Sequence, residues 1–398
     1  MKLFYPLILQ IIAAALSVSY LSQVSDKQKE FDEFIQNLEN EFIYYEEKKE
    51  IIKCIKSTYR DKVDTISHPY YKVLFYENIL NELYDSHINL NTNTNGSYRL
   101  TAPIYTRQKD GKFFVSNVFS SQLNTGLNEN IIDAEILSFN AIDFQQAIDN
   151  FPTYCHDKKV PKIREWLANK VLSGRRDQPR VLELKLANGK RTSLNLDSLE
   201  LRNETTLLTS EVLDNVGLIR INNSLGNPDL TKAFDNALNN LSETDALILD
   251  LRNTPGGGNT SVAEPILGRF ISQKTGYQVC ENKNEKYTRF VLPRGKTYSN
   301  PLYILVGRWT GSMGEGITIG LDGMQRATII GTEMNRLAGG MKTINFLNSN
   351  FGYRISFEKM YHLDGTLREN FVPDNYVEQQ NAKNDDYLNY ALGMIKNR

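Results

Sequence analysis

The chain has 398 residues, too many for one ordinary core, so two or three domains are expected, each burying its own apolar interior. Its 46 basic and 47 acidic side chains leave a net charge of −1, which provides no long-range field toward nucleic acid or an anionic membrane and argues against a nucleic-acid partner. Cys54, Cys155 and Cys280 lie too far apart for a zinc-ligand pair or a redox CxxC motif, and neither metal nor organic cofactor is expected.

Residues 1–19 read as an export signal. Lys2 supplies the positive end, residues 3–16 are mostly apolar, and Ser17 and Ser19 are small residues at cleavage spacing. The expectation is an exported protein, periplasmic or secreted, with no stable membrane insertion after cleavage. An uncleaved anchor is the alternative, disfavoured by Pro6, Gln10 and the Ser-rich end. Export would permit one disulfide and leave one thiol, and the spacing does not choose the pair.

Residues 20–97 form a helical N-terminal region. From Ser25 to about Arg60, Phe31, Phe34, Ile35, Leu38 and Phe42 recur at spacings of three and four, which places them on one helix face, with Ser25 or Asp26 as cap. A second helix is predicted over 70–85, after His68-Pro69. It stops at Tyr84-Asp85-Ser86-His87, so His87 sits at an element boundary.

Residues 98–204 carry short β-like runs at 113–118, 132–139 and 181–186, one short helix near 144–150, and a basic helical insertion at 159–180 whose charges read as a solvated face. From residue 205 strands alternate with helices. Strands are predicted at 217–221, 246–251, 302–306 and 327–330, helices at 229–241, 260–271 and after Ser312, and a hairpin around Asn348-Ser349-Asn350. This is the pattern of an α/β fold with largely parallel strands and sites at strand ends.

One stretch, residues 301–326, runs from an apolar strand into small residues around Ser312 and then into a helix. A serine hydroxyl there is a poor nucleophile until a base takes its proton. Glycines after the buried strand at 246–251 let backbone N–H groups approach a substrate carbonyl, and the residue after the serine offers a second donor, so Gly257 and Met313 are the oxyanion-hole candidates. A phosphate loop would need GxxxxGK[ST], which is absent.

Three segments, DLRNTPGGG from Asp250, TGSMGE around Ser312 and LRENFVPDNYV from Leu367, resemble in order and spacing the motifs of the C-terminal processing (tail-specific) serine peptidases. The resemblance implies a ClpP/crotonase-like catalytic core over 205–398 and, through NIIDAEILSFN at 130–140, a PDZ-like β-rich module over 98–204. Members that activate serine with lysine carry it about 25 residues downstream, where this chain has Leu337, with Lys342 nearby. The segment LYDSHINL resembles instead the tricorn-like, Ser-His-Glu branch of the family. That branch implies His87 as base, Glu369 as the acid that orients it, and Ser86 as an assisting residue, in an exported endopeptidase acting on polypeptides.

His68, His156 and His362 read as ordinary side chains, His362 being the runner-up base. Asp322 reads as a helix-end residue, Asp374 as a turn residue, and Glu315 as a structural acid in the first helical turn. Two rivals share the scaffold: an inactive peptide- or ligand-binding protein, and an acyl-CoA enzyme, which export disfavours. A homo-oligomer is left open.

Overall fold

The computed structural model describes residues 25–124 and 126–398. The export signal expected at 1–19 lies outside the described residues. Among the described residues, no helix is long and apolar enough to cross a membrane.

The N-terminal region is a cluster of three helices. Asp26–Glu41 begins at Ser25, whose hydroxyl accepts the Gln28 N–H at 3.1 Å, a cap that satisfies one orphan donor. The single helix expected to about Arg60 is two, because the chain turns extended at Phe42 before Tyr45–Tyr59 begins. The third, Pro69–Asn81, ends four residues earlier than expected, and Tyr84 then adopts φ 49°. These helices bury Phe31, Phe34, Ile52 and Tyr76 against Phe346, Tyr353 and Ile355 of the hairpin Gly340–Asn345/Gly352–Tyr361. Strand Asn89–Leu90 pairs with the same hairpin, so the N-terminal helices share one core with a hairpin far along the sequence.

A middle module holds an antiparallel sheet in the order Ile104–Lys109, Lys112–Val118, Glu135–Phe139, Val181–Lys185, Arg191–Asn195. Helix Pro161–Ser173 corrects the solvated-face expectation for 159–180, since Ile163, Leu167, Ala168 and Leu172 enter the module's core.

The third unit is a six-stranded sheet in the order Asn375–Tyr376, Thr328–Gly331, Leu302–Val306, Ala246–Asp250, Val216–Ile221, Leu208–Leu213, parallel except for the last strand. Its two central strands, LYILV and ALILD, are buried at every residue, as strands covered on both faces must be. Helices Leu230–Asn240, Thr260–Leu267 and Met313–Gly323 cover one face through Phe234, Ile266 and Ile317. The C-terminal helix Asp386–Lys396, not anticipated from sequence, covers the other through Tyr387 and Ala391.

Cys54 and Cys155 form a disulfide between the helical region and the middle module, and Cys280 is a buried free thiol.

Candidate active site

Parallel pairing of Asp250 with Leu305 sends the loops after those two strands out side by side. A bridge between Thr254 and Thr310 joins them, and the Thr254 carbonyl accepts the Gly311 N–H at 3.2 Å. The threonine hydroxyls are drawn inward: both Thr254 Oγ1 and Thr310 Oγ1 donate to the Leu251 carbonyl, at 2.8 and 3.0 Å. Asp250 stays ionised beneath them through the fork of Arg252, which also reaches Asp385 at the start of the C-terminal helix.

Between these loops Ser312 has φ 50° and ψ −105°, a conformation that costs a non-glycine residue energy and persists only where its surroundings impose it. Part of the imposition is the Glu315 carboxylate, which accepts the Ser312 N–H at 2.7 Å and the Leu337 N–H at 3.3 Å. Glu315 is fully buried, and burial pushes its carboxyl up to about 7 against the pull of Arg368 and these N–H donors. The structural role expected of Glu315 is what its bonds describe.

Gly257, at φ 62°, lies against the serine. A Cβ there would sit 2.4 Å from Ser312 Cβ and 2.9 Å from its hydroxyl, so only glycine fits. Its N–H, however, closes a turn onto the Thr254 carbonyl at 3.1 Å. Among the described residues the N–H groups of Gly258 and Met313 donate to no protein acceptor. Met313 is the first residue of its helix, where orphan donors and the positive end of the dipole coincide.

His87 directly follows Asp85 and Ser86, which with Tyr44, Trp166, Trp309 and Glu369 line a cleft of about 1050 Å³. Its Nδ1 lies 2.9 Å from the Ala338 carbonyl oxygen. Because a carbonyl only accepts, Nδ1 carries the proton and Nε2 keeps its lone pair. Burial, then the nearby charge of Arg368, lower its pKa to about 3, so the ring is neutral. No hydrogen bond joins His87 to Ser312 among the described residues; the two meet the same loop, His87 at Ala338 and the Ser312 turn at Asn335 and Leu337, which lie 3.4 and 3.3 Å from a Cβ placed on Gly311.

Glu369 does not touch the ring. Its Oε1 accepts the Tyr44 hydroxyl at 2.6 Å, and its buried Oε2 has no partner among the described residues. The expectation that Glu369 orients the imidazole is thereby corrected: the Ala338 carbonyl already occupies Nδ1. The carboxylate that does serve His87 is Asp85, which accepts the residue's backbone N–H at 2.9 Å and is pushed up to about 6, by burial first. Sequence reasoning passed over Asp85, although it stands in the LYDSHINL segment. Ser86 accepts the Trp166 indole N–H at 3.1 Å and lines the cleft.

The remaining candidates fall away from the serine. His362 sits between Asp322, 3.2 Å from Nε2, and Asp364. Asp322 lies ten residues along the helix from Ser312, about 15 Å at 1.5 Å per residue. His68 caps a helix, and half-buried His156 packs its ring edge-on against Tyr84. Lys342 pairs with Glu41 at the surface. No group of His, Cys, Asp or Glu suited to a metal ion occurs among the described residues.

Residues 215–377 match the model of a family described as peptidase family S41. No curated protein matches the sequence. Among solved structures the fold is similar to that of mature CPAF, 13% identical, with a TM-score of 0.62 over 93% of this chain and 95% of that one. It is also similar to the photosystem II D1 C-terminal processing protease, 15% identical, with a TM-score of 0.54 over 89% and 94%. A lipoprotein from Streptococcus agalactiae, 11% identical, gives a TM-score of 0.52 over 96% and 99%. The matched segment contains Gly257, Ser312, Met313 and Glu369, so over residues 215–377 the chain is similar to peptidase family S41.

Proposed function

We propose that this chain is an exported serine endopeptidase in which Ser312 is the nucleophile and His87 the base. The observation that carries the reading is Ser312 itself, held at positive φ with Gly257 against it and the Met313 N–H open beside it. The neutral His87, with Nε2 free, supports the choice of base. Export is supported by the Cys54–Cys155 disulfide, which suits an oxidising compartment such as the periplasm or the exterior. The antiparallel sheet and two helices of residues 98–204 support a PDZ-like module, and the parallel sheet with its helices supports a ClpP/crotonase-like core.

In this mechanism Ser312 Oγ attacks the scissile carbonyl carbon as its proton passes to His87 Nε2. The oxyanion so formed accepts the Met313 N–H and a donor from the glycine loop. Of the two, Gly258 has the unspent N–H among the described residues, since the Gly257 N–H is taken by the Thr254 carbonyl. His87 then gives its proton to the departing amine as the C–N bond breaks, leaving an ester on Ser312. Water adds to the ester, losing its proton to His87, and the carboxylic acid departs as Ser312 regains that proton. Closure of the cleft on a polypeptide brings the ring to the hydroxyl, as hydrogen bonds loose without substrate commonly tighten with it. Glu369 and Ser86 act from the cleft wall, Glu369 through its charge beside Asp85 and its bond to Tyr44.

Reaction with a fluorophosphonate probe tests this reading. Wild type is expected to be labelled at Ser312, with label lost in Ser312→Ala and His87→Ala; a folded wild type that takes up no label would return the chain to the class of binding proteins.

A further inference from the structure

A buried guanidinium with no carboxylate partner stands beside the base. Arg368 is 2% exposed, and among the described residues it forms no ion pair within 4.0 Å. A charge held this way is costly unless hydrogen bonds compensate it. Arg368 spends its bonds on backbone: one terminal nitrogen donates to the Leu337 and Gly339 carbonyls, each at 2.7 Å, and the other lies 2.8 Å from Met360 Sδ. The two carbonyls flank Ala338, whose own carbonyl holds His87.

We infer that Arg368 is a positioning residue for the base: by gripping the carbonyls on either side of Ala338 it aims the intervening carbonyl at His87 Nδ1. The inference rests on the reading of Ser312 and His87 as nucleophile and base. Three further contacts fix this peptide segment. Glu315 accepts the Leu337 N–H at 3.3 Å, and Ser356 Oγ donates to the Ala338 carbonyl at 2.8 Å. At Gly339, with φ 64°, a Cβ would stand 2.4 Å from the Glu358 carbonyl oxygen, so the chain passes where no side chain fits.

The arrangement links both reacting residues to one loop. Glu315 ties the Ser312 N–H to Leu337, and Arg368 ties Leu337 to Gly339 across the carbonyl that fixes the base. The charged groups around the ring are Arg368 and Arg354, with Asp85 at the backbone of His87 and Glu369 beyond it. None of the carboxylates bonds to a ring nitrogen, which leaves orientation to the Ala338 carbonyl. An outer group that orients a ligand or base commonly matters ten- to a hundred-fold, in about the range expected for small misplacements of reacting groups.

The test is the inactivation of purified full-length protein by a fluorophosphonate, followed as a maximal rate and a half-saturation concentration from pH 4 to 8. Arg368→Lys keeps the charge and loses the fork; its maximal rate is expected to fall on the order of ten- to a hundred-fold, with half-saturation unchanged within about two-fold. In Arg368→Met the acid limb is also expected to move up toward the ordinary histidine value, since a cation near the ring is removed. A merely structural role would lower the melting temperature and the labelled fraction without changing the rate or pH limb of the molecules that react. Folded Arg368 variants with the wild-type rate and profile would overturn the assignment. Should both variants fail to fold, Ser356→Ala reads the same carbonyl: a fall in maximal rate at constant half-saturation supports the inference, and an unchanged rate contradicts it. Wild type that labels while these variants are indifferent removes this inference alone; wild type that does not label removes the peptidase reading with it.

Discussion

His87 and Ala338 meet through one hydrogen bond, 2.9 Å from Nδ1 to the carbonyl oxygen, so the orienting partner of the His87 ring is a peptide group and not a side chain. Glu369, 2.6 Å from the Tyr44 hydroxyl, is a wall of the cleft. Glu369→Gln is therefore expected to lower the fluorophosphonate labelling rate by less than about ten-fold, while His87→Ala lowers it by several powers of ten, as loss of a base does. Equal losses in the two variants would restore Glu369 as the orienting acid.

The pH dependence follows from the same burial. With its pKa lowered from 6.5 to about 3, His87 stays neutral through pH 5–6, and the labelling rate of molecules that remain folded should show no limb near 6.5. For stability, the unfolded chain takes up the His87 proton before the native one does. That contribution is full above about 6.5 and lost as pH falls toward about 3. Asp85, raised to about 6, and Glu315, raised to about 7, act in the opposite sense: their contributions are present below the ordinary carboxyl range and lost as pH rises through those values. Thermal melts of His87→Gln against wild type between pH 4 and 8 isolate the first effect, with the two curves expected to converge on acidification.

Gly257→Ala sets a methyl 2.4 Å from Ser312 Cβ at a backbone angle that L side chains rarely adopt. Labelling should fall about a hundred-fold or more, because Ser312 must shift to make room. The melting temperature should fall as well, since strain of order 1–3 kcal/mol enters the native state. Unchanged labelling would mean that the serine does not react from this conformation.

The disulfide closes a separation of 101 residues between the region that supplies His87 and the middle module. Replacing Cys54 and Cys155 by serine is expected to cost about 2–5 kcal/mol in denaturant unfolding, with the helical region the first to lose protection from hydrogen exchange. Buried Cys280 should not react with a thiol reagent until the protein unfolds.

How much of this was legible in the sequence depended on whether the signal was a side-chain pattern. Strand Leu302–Val306 and the hairpin around Asn348-Ser349-Asn350 appear where the apolar runs and turn residues put them. Gly257 lies against Ser312 because the motif glycines follow a buried strand whose neighbour in the sheet leads to the serine. Strand Lys286–Val291 was missed, since it is an edge strand buried only at its last residue and its KYTRFV reads as surface. The partner of the His87 ring was invisible for a plainer reason: a carbonyl has no letter in the sequence, and Leu337 and Gly339 give no sign that Arg368 holds their carbonyls. The cysteine pair likewise required the fold, because residues 101 apart are brought together only when the module docks.

The central claim is that Ser312 is a nucleophile activated by His87. It is tested most directly by mass-spectrometric mapping of fluorophosphonate on full-length wild type, Ser312→Ala and His87→Ala at pH 7, with folding checked by circular dichroism. The account predicts one adduct, on Ser312, in wild type and a labelling rate lower by several powers of ten in each variant. An adduct on another residue, or a His87→Ala variant that labels at the wild-type rate, would contradict it.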